Sequence, residues 1–304
     1  MNEIRFGRSA TICLVVGTVG AGILASGIAA QEPVGAGLNI LLTNDDGYAA
    51  PGITSMRDAL IAAGHTVTVV APLDNRSGSS SSVTTSGLID YTLKSDGVWA
   101  VDGTPADAVA LGFVIVMRDN PPDLVVSGSN FGHNVGANVV SSGTVGAALT
   151  ASRLGVPALA VSVAIDFQER DASPRYRSTL DAFAPAADFV VDLIRQLHES
   201  DADGLLPART VLNVNYPAVG VGEVTGVRFA PVASVRAIRQ VFAVAGDTGP
   251  ARVETTAGNP GRAEGGSDYD LLSDGYITIS VLDGNLDAGR GSWESLLERL
   301  IIER

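Results

Sequence analysis

From Leu38 onward the chain repeats one arrangement: a short apolar run, a polar or glycine-rich loop, then a stretch with helical periodicity. Asn39–Thr43, Thr66–Ala71, Leu124–Ser127, Ala158–Val163 and Val211–Val214 have the length and composition of buried strands. Between them, Pro51–Gly64 reads as a helix with proline in its first turn and glycine at its end. Thr104–Met117 reads as a second, with Thr104 as cap and Pro105 at the first position, and Thr144–Leu154 as a third. Leu180, Phe183, Ala187, Val190, Val191, Ile194 and Leu197 mark a strong amphipathic helix. Strands separated by helices predict an α/β fold, a Rossmann-like, doubly wound and mostly parallel sheet through about residue 217.

Three stretches depart from that rhythm. Val83–Val101 reads as β-structure turning at Ser95-Asp96-Gly97. Val219–Ser267 has weak periodicity and reads as excursion strands and loops. Gly275–Leu282 alternates again as a strand, and Trp293–Ile302 is expected to close the chain as a helix. No internal repeat is visible.

The first thirty residues are of another kind. Arg5 and Arg8 precede an apolar run from Ala10 to Ala30 that ends in small residues, the pattern of a secretory signal peptide. Cleavage is expected after Ala30, with residues 31–37 as a linker and 38–304 as one domain. The alternative is an uncleaved anchor, because the run is long enough to span a bilayer. After cleavage no stable membrane association is expected, and the protein would be secreted or periplasmic. The single cysteine, Cys13, lies inside this segment. A mature chain would have no disulfide, thiolate ligand or cysteine nucleophile.

The formal charge is −13, and removing Glu3, Arg5 and Arg8 leaves −14. Such a surface repels phosphate polymers, so binding to nucleic-acid polymers is not expected. A small anionic substrate stays possible where a metal ion supplies local positive charge.

In an open α/β sheet, ligands sit at the carboxyl ends of strands. Four polar clusters fall there: Asn44-Asp45-Asp46-Gly47, Asn75-Arg76-Ser77-Gly78, Ser127-Gly128-Ser129-Asn130 and Ser141-Ser142-Gly143-Thr144. Asp45, Asp46, Ser77 and Asn130 offer only oxygen, which suits Mg²⁺ or Mn²⁺. No histidine pair stands at zinc spacing. A helix start at Ser142-Gly143-Thr144 supplies N–H groups and hydroxyls that suit phosphate, although plain capping uses the same groups. Asp-Gly pairs are also common turn signals, so Asp45 and Asp46 alone could be turn residues. Arg76 could clamp phosphate or be a surface charge, and His133 is a single histidine in a loop.

Several blocks carry a family resemblance: LLTNDDGYAAPGI (Leu41–Ile53), VAPLDNRSG (Val70–Gly78), GTPAD (Gly103–Asp107), VSGSNFGHNVG (Val126–Gly136) and SGTV (Ser142–Val145). With Gly266-Ser267-Asp268-Tyr269 and Asp274–Ile279 they resemble the signature blocks of the SurE family. Its members are stationary-phase survival proteins and metal-dependent nucleotidases acting on nucleoside monophosphates. The resemblance implies that Asp45, Asp46, Ser77 and Asn130 bind a divalent metal, with the two aspartates catalytic. It implies that Asn134, Ser142, Gly143 and Thr144 line the phosphate pocket. It also implies a Rossmann-like core with an exchanged C-terminal segment, here a short one, and assembly as a homodimer or homotetramer. Typical bacterial members are cytoplasmic, whereas this chain begins with an export signal.

The expected activity is therefore exported 5′/3′-nucleotidase action. The alternatives are a broader acid phosphatase and an exported nucleotide- or phosphate-binding protein without turnover. A haloacid-dehalogenase-like phosphatase would want Asp-x-Asp after the first strand, which Asn44-Asp45-Asp46 does not supply.

Overall fold

The computed structural model describes residues 37–200, 204–244, 246, 248–258 and 265–285. The expected signal segment and the expected closing helix at 293–302 lie outside the described residues. Among those described, no helix is long and apolar enough to cross a membrane.

Five parallel strands form the centre of the sheet: β1 (Asn39–Thr43), β2 (Thr66–Pro72), β5 (Leu124–Phe131), β6 (Ala158–Val163) and β7 (Val211–Tyr216). β4 (Val98–Val101) extends it in parallel beyond β2, and β3 (Tyr91–Ser95) caps that edge antiparallel. At the other edge β11 (Tyr276–Leu282) runs antiparallel to β7 and carries β8 (Gly226–Phe229) beside it. The order is β3-β4-β2-β1-β5-β6-β7-β11-β8. From β1 the chain winds outward through β2 and β4, then returns to β5 on the other side. The gap between β1 and β5 is thus the switch point at which such sheets open a crevice.

Alternation along each strand divides the core. Ile40, Leu42, Val126, Leu159 and Val161 face α1 (Pro51–Ala62) and α4 (Arg177–Glu199), whose Met56, Leu60, Phe183 and Val190 meet them. Leu41, Val125, Ala158 and Ala160 face the other way, onto Val145, Ala148 and Ala151 of α3 (Gly143–Arg153). Each such large side chain contributes roughly 1.5–3 kcal/mol on burial. α3 presents small residues, so it lies close to the strand ends and carries its N-terminus into the crevice.

Several sequence expectations are refined. Of Val83–Val101, only Tyr91–Ser95 and Val98–Val101 are strands. Thr84 instead turns both its N–H and its hydroxyl to Asp107, each at 2.8 Å. The helix after Thr104 is α2 (Pro105–Leu111), followed by a wider π-type turn at Gly112–Val116. Gly128–Phe131 is strand rather than loop, because β5 slips register between Ser127 and Asn130 and resumes pairing with β6. The 219–267 excursion contains β8 and a separate hairpin, β9 (Ile238–Val244) with β10 (Ala251–Ala257).

Candidate active site

The turn after β1 is closed by Asn44 and Gly47, not by the aspartates. Asn44 Nδ2 donates to the Gly47 carbonyl at 2.8 Å, and its Oδ1 accepts the Gly47 N–H at 3.2 Å. Gly47 holds φ at +109°, a region closed to most side chains. Asp45 and Asp46 are thereby left free to face the crevice.

Asp45 is only 3% exposed. Its carboxylate accepts the Thr144 hydroxyl at 2.8 Å and the Thr144 N–H at 3.2 Å, from the first turn of α3. Asp46 accepts the Phe131 N–H at 2.8 Å, from the end of β5, and Asn75 Nδ2 at 3.2 Å, from the loop after β2. That loop is tied down in turn: the Arg76 N–H donates to the Asp45 carbonyl, and the Ser80 hydroxyl to the Val140 carbonyl, both at 2.7 Å. The two aspartates thus stitch together the three loops around the switch point. Gly143 makes this possible, since a Cβ there would lie 2.8 Å from the Asp45 Cβ and Oδ2.

Electrostatically the pair is unsettled. Burial pushes the Asp45 carboxyl above its ordinary range, partly offset by the Thr144 hydrogen bonds. Burial, and then the neighbouring Asp45 charge, pushes Asp46 up to about 7. Neither has an arginine or lysine partner among the described residues. Two adjacent carboxylates, one buried and one partly buried, answered only by neutral donors fit a bound cation. Among the described residues no group of three or more His, Cys, Asp or Glu could hold one. A cation held here would take the rest of its shell from neutral oxygens, for which Ser77 and Asn130 are candidates.

Asp45, Asp46, Ser77, Asn130, Asn134 and Ser142 all line one cavity of about 1180 Å³. Asn130 is held by its Nδ2, which donates to the Gly132 carbonyl at 2.5 Å. Asn134 sits deeper: its Nδ2 donates to the Ser162 hydroxyl at 2.9 Å, and Asn215 grips its backbone N–H at 2.7 Å. Ser142 caps α3, accepting the Val145 N–H at 3.1 Å. Thr144 does not open on the cavity; it stands behind Asp45 and fastens it. Arg76 turns away to Asp102 at 2.7 Å. His133 lines the cavity, and its Nδ1 accepts the Ile165 N–H at 3.4 Å, leaving Nε2 to carry the proton of the neutral ring. Burial pushes its pKa down to about 4.

The profile of the family described as Survival protein SurE matches residues 40–239, the span that carries every one of these groups. The chain belongs to the SurE family. The 5′-nucleotidase SurE of Gloeobacter violaceus is 34% identical over 282 residues, 86% of this chain and 99% of that one. The 5′-nucleotidase SurE of Nitratidesulfovibrio vulgaris is 38% identical over 266 residues, 80% of this chain and 86% of that one. The crystal structure of the SurE protein from Aquifex aeolicus superposes with a TM-score of 0.68 at 31% identity, covering 86% of this chain and 98% of that one. The mostly parallel α/β sheet is accordingly a SurE fold.

Sequence reasoning missed several groups of this SurE site. Asn75 was visible only as part of a polar cluster, and nothing in the spacing linked it to Asp46. Phe167, Tyr176, Arg236 and Arg239 line the outer cavity from segments without a motif. Asp268 stood in a recognised block without a role. It is buried and accepts the N–H groups of Gly136 at 3.0 Å, Ala233 at 2.8 Å and Tyr269 at 2.8 Å.

Proposed function

We propose that the protein is an exported, divalent-metal-dependent phosphomonoesterase that hydrolyses nucleoside 5′- or 3′-monophosphates to nucleoside and phosphate. The observation that carries the reading is the Asp45–Asp46 pair, the first buried and the second partly buried, without a counter-charge at the switch point and opening on the cavity. The nucleotidase names of the SurE relatives support the same chemistry.

Asp45, Asp46, Ser77 and Asn130 are assigned to the cation, Mg²⁺ or Mn²⁺, which when bound polarises phosphoryl oxygens and lowers the pKa of a water. The chain's own groups then orient the ester. Ser142 offers its hydroxyl to the phosphate, while the first N–H groups of α3 hold Asp45 and the Ser142 cap in place. Gly143 keeps that approach open, and Thr144 contributes by fixing Asp45. Asn134 shapes the inner wall, and neutral His133 can donate from Nε2.

Export after cleavage at Ala30 is part of the reading, and N-terminal sequencing of protein from the secreted or periplasmic fraction tests it. Self-association as a dimer or tetramer is supported by the β9–β10 hairpin, where Phe242 is 62% and Val244 69% exposed.

The activity test is phosphate release from AMP and 3′-AMP by the purified protein with Mn²⁺, Mg²⁺ or EDTA. Metal-dependent release that EDTA abolishes is expected. No release with any metal would reject the enzyme reading in favour of a binding protein.

A further inference from the structure

The cavity is larger than a mononucleotide requires. At about 1180 Å³ it exceeds the roughly 300–1,000 Å³ usual for small-molecule sites. Its lining joins the carboxylates to Phe131, Phe167 and Tyr176 and to two exposed arginines where the chain enters β9, Arg236 and Arg239, which form its lip. The aromatic wall suits a nucleobase. Neither lip arginine has an acidic partner among the described residues.

The lip is also built into the site. The Ala137 N–H donates to the Val235 carbonyl at 2.8 Å, and Gly136 bridges Arg236. Asn138 holds Ile238 from both sides, at 2.8 and 3.0 Å. Buried Asp268 binds the N–H groups of Gly136 and Ala233 together, so the loop bearing Asn134 and the segment bearing the arginines are held as one piece. The backbone that carries both arginines is thus fixed beside the site, and guanidinium groups recognise phosphate through charge-assisted hydrogen bonds.

We propose that Arg236 and Arg239 form a second anion subsite, which takes a phosphate group remote from the scissile one. The preferred substrates are then nucleoside 3′,5′-bisphosphates rather than the corresponding monophosphates. This rests on the nucleotidase reading. The reaction is unchanged: water oxygen forms the new P–O bond, the ester P–O bond breaks, and a proton goes to the departing sugar oxygen. The second phosphate stays on the sugar, held at the lip.

The test compares adenosine 3′,5′-bisphosphate with AMP on the wild-type protein and on Arg236→Gln/Arg239→Gln, by steady-state kinetics with Mn²⁺ and by calorimetric binding in EDTA. Both positions are exposed, so the substitutions leave the core intact. In the wild type, kcat/KM should favour the bisphosphate by about tenfold or more, through KM, with the advantage shrinking as salt rises. In the variant that ratio should fall to near one, and bisphosphate binding in EDTA should weaken about tenfold. A wild-type ratio near one, or a ratio and binding unchanged in the variant, overturns the subsite. If neither nucleotide is hydrolysed but the variant still weakens binding, the nucleotidase reading fails and the subsite stands.

Discussion

Thr144 gives Asp45 two hydrogen bonds, its hydroxyl to one carboxylate oxygen at 2.8 Å and its N–H to the other at 3.2 Å. The first turn of α3 therefore fixes the rotamer of a carboxylate that the sequence places 99 residues earlier. Thr144→Val keeps the shape and removes the hydroxyl. Groups that orient a metal-binding side chain typically contribute 10–100-fold to affinity or activity. Mn²⁺ titration should show at least about a tenfold weakening in Thr144→Val, with Thr144→Ser recovering most of it.

Gly143→Ala tests the same contact from the side. The added methyl would lie 2.8 Å from Asp45 Oδ2 and 2.7 Å from the Ser79 hydroxyl, so the carboxylate must move. A shift of the order of 1 Å near reacting groups can lower rates about 100-fold. Phosphate release should fall steeply, while circular dichroism shows a retained fold and a small change in melting temperature.

The pH dependence of metal-free stability has a definite sign. Asp46 has a folded pKa of about 7, above its ordinary value of 3.8, so its contribution is complete below pH 4 and is lost as pH rises through 7. His133 acts oppositely: its folded pKa of about 4 lies below 6.5, so its contribution is present above 6.5 and lost as pH falls through 4. Between pH 4 and 6.5 the two slopes, each about 1.4 kcal/mol per pH unit for one proton, offset one another. Denaturant unfolding in EDTA should show stability changing more positively with pH over that window in Asp46→Asn than in the wild type, because one of the carboxyls opposing His133 is gone. Because a cation favours ionised carboxylates, Mn²⁺ should raise the melting temperature more at pH 8 than at pH 5.

Asn215 clamps the Asn134 peptide, accepting its N–H at 2.7 Å and donating to its carbonyl at 3.2 Å. Asn213 adds a second donor to that carbonyl at 2.8 Å. Asn215→Ala leaves a buried N–H unsatisfied, which costs about 1–3 kcal/mol. Urea unfolding should register that loss, and KM for AMP should rise more than kcat falls, since the clamp shapes the wall and not the carboxylates.

The central strands and their helices were legible because burial on both faces forces short apolar runs, and Ala158–Val163 coincides with β6. The strand was expected to end at Ser127, and its continuation through Gly128–Phe131 was not visible, since glycine and polar side chains there serve the site and only pairing with β6 makes them strand. The oxygen groups Asp45, Asp46, Ser77 and Asn130 were visible because each lies at or just past the carboxyl end of a strand, and the sheet brings those ends to one edge. The role of Thr144 was not visible: a threonine at a helix start looks the same whether it binds a ligand or a carboxylate. Asp268 and the lip arginines were hidden for a different reason. Their partners are backbone groups and open space, which leave no pattern in spacing.

The central claim is that Asp45, Asp46, Ser77 and Asn130 hold one divalent cation at the floor of the cavity. Anomalous diffraction from crystals of the protein grown with Mn²⁺ measures this directly. The account predicts a single strong peak about 2 Å from an oxygen of each of these four residues, absent in Asp46→Asn crystals grown alike. A Mn²⁺ peak elsewhere in the molecule, with none at these oxygens in a protein that still releases phosphate from AMP, would contradict it.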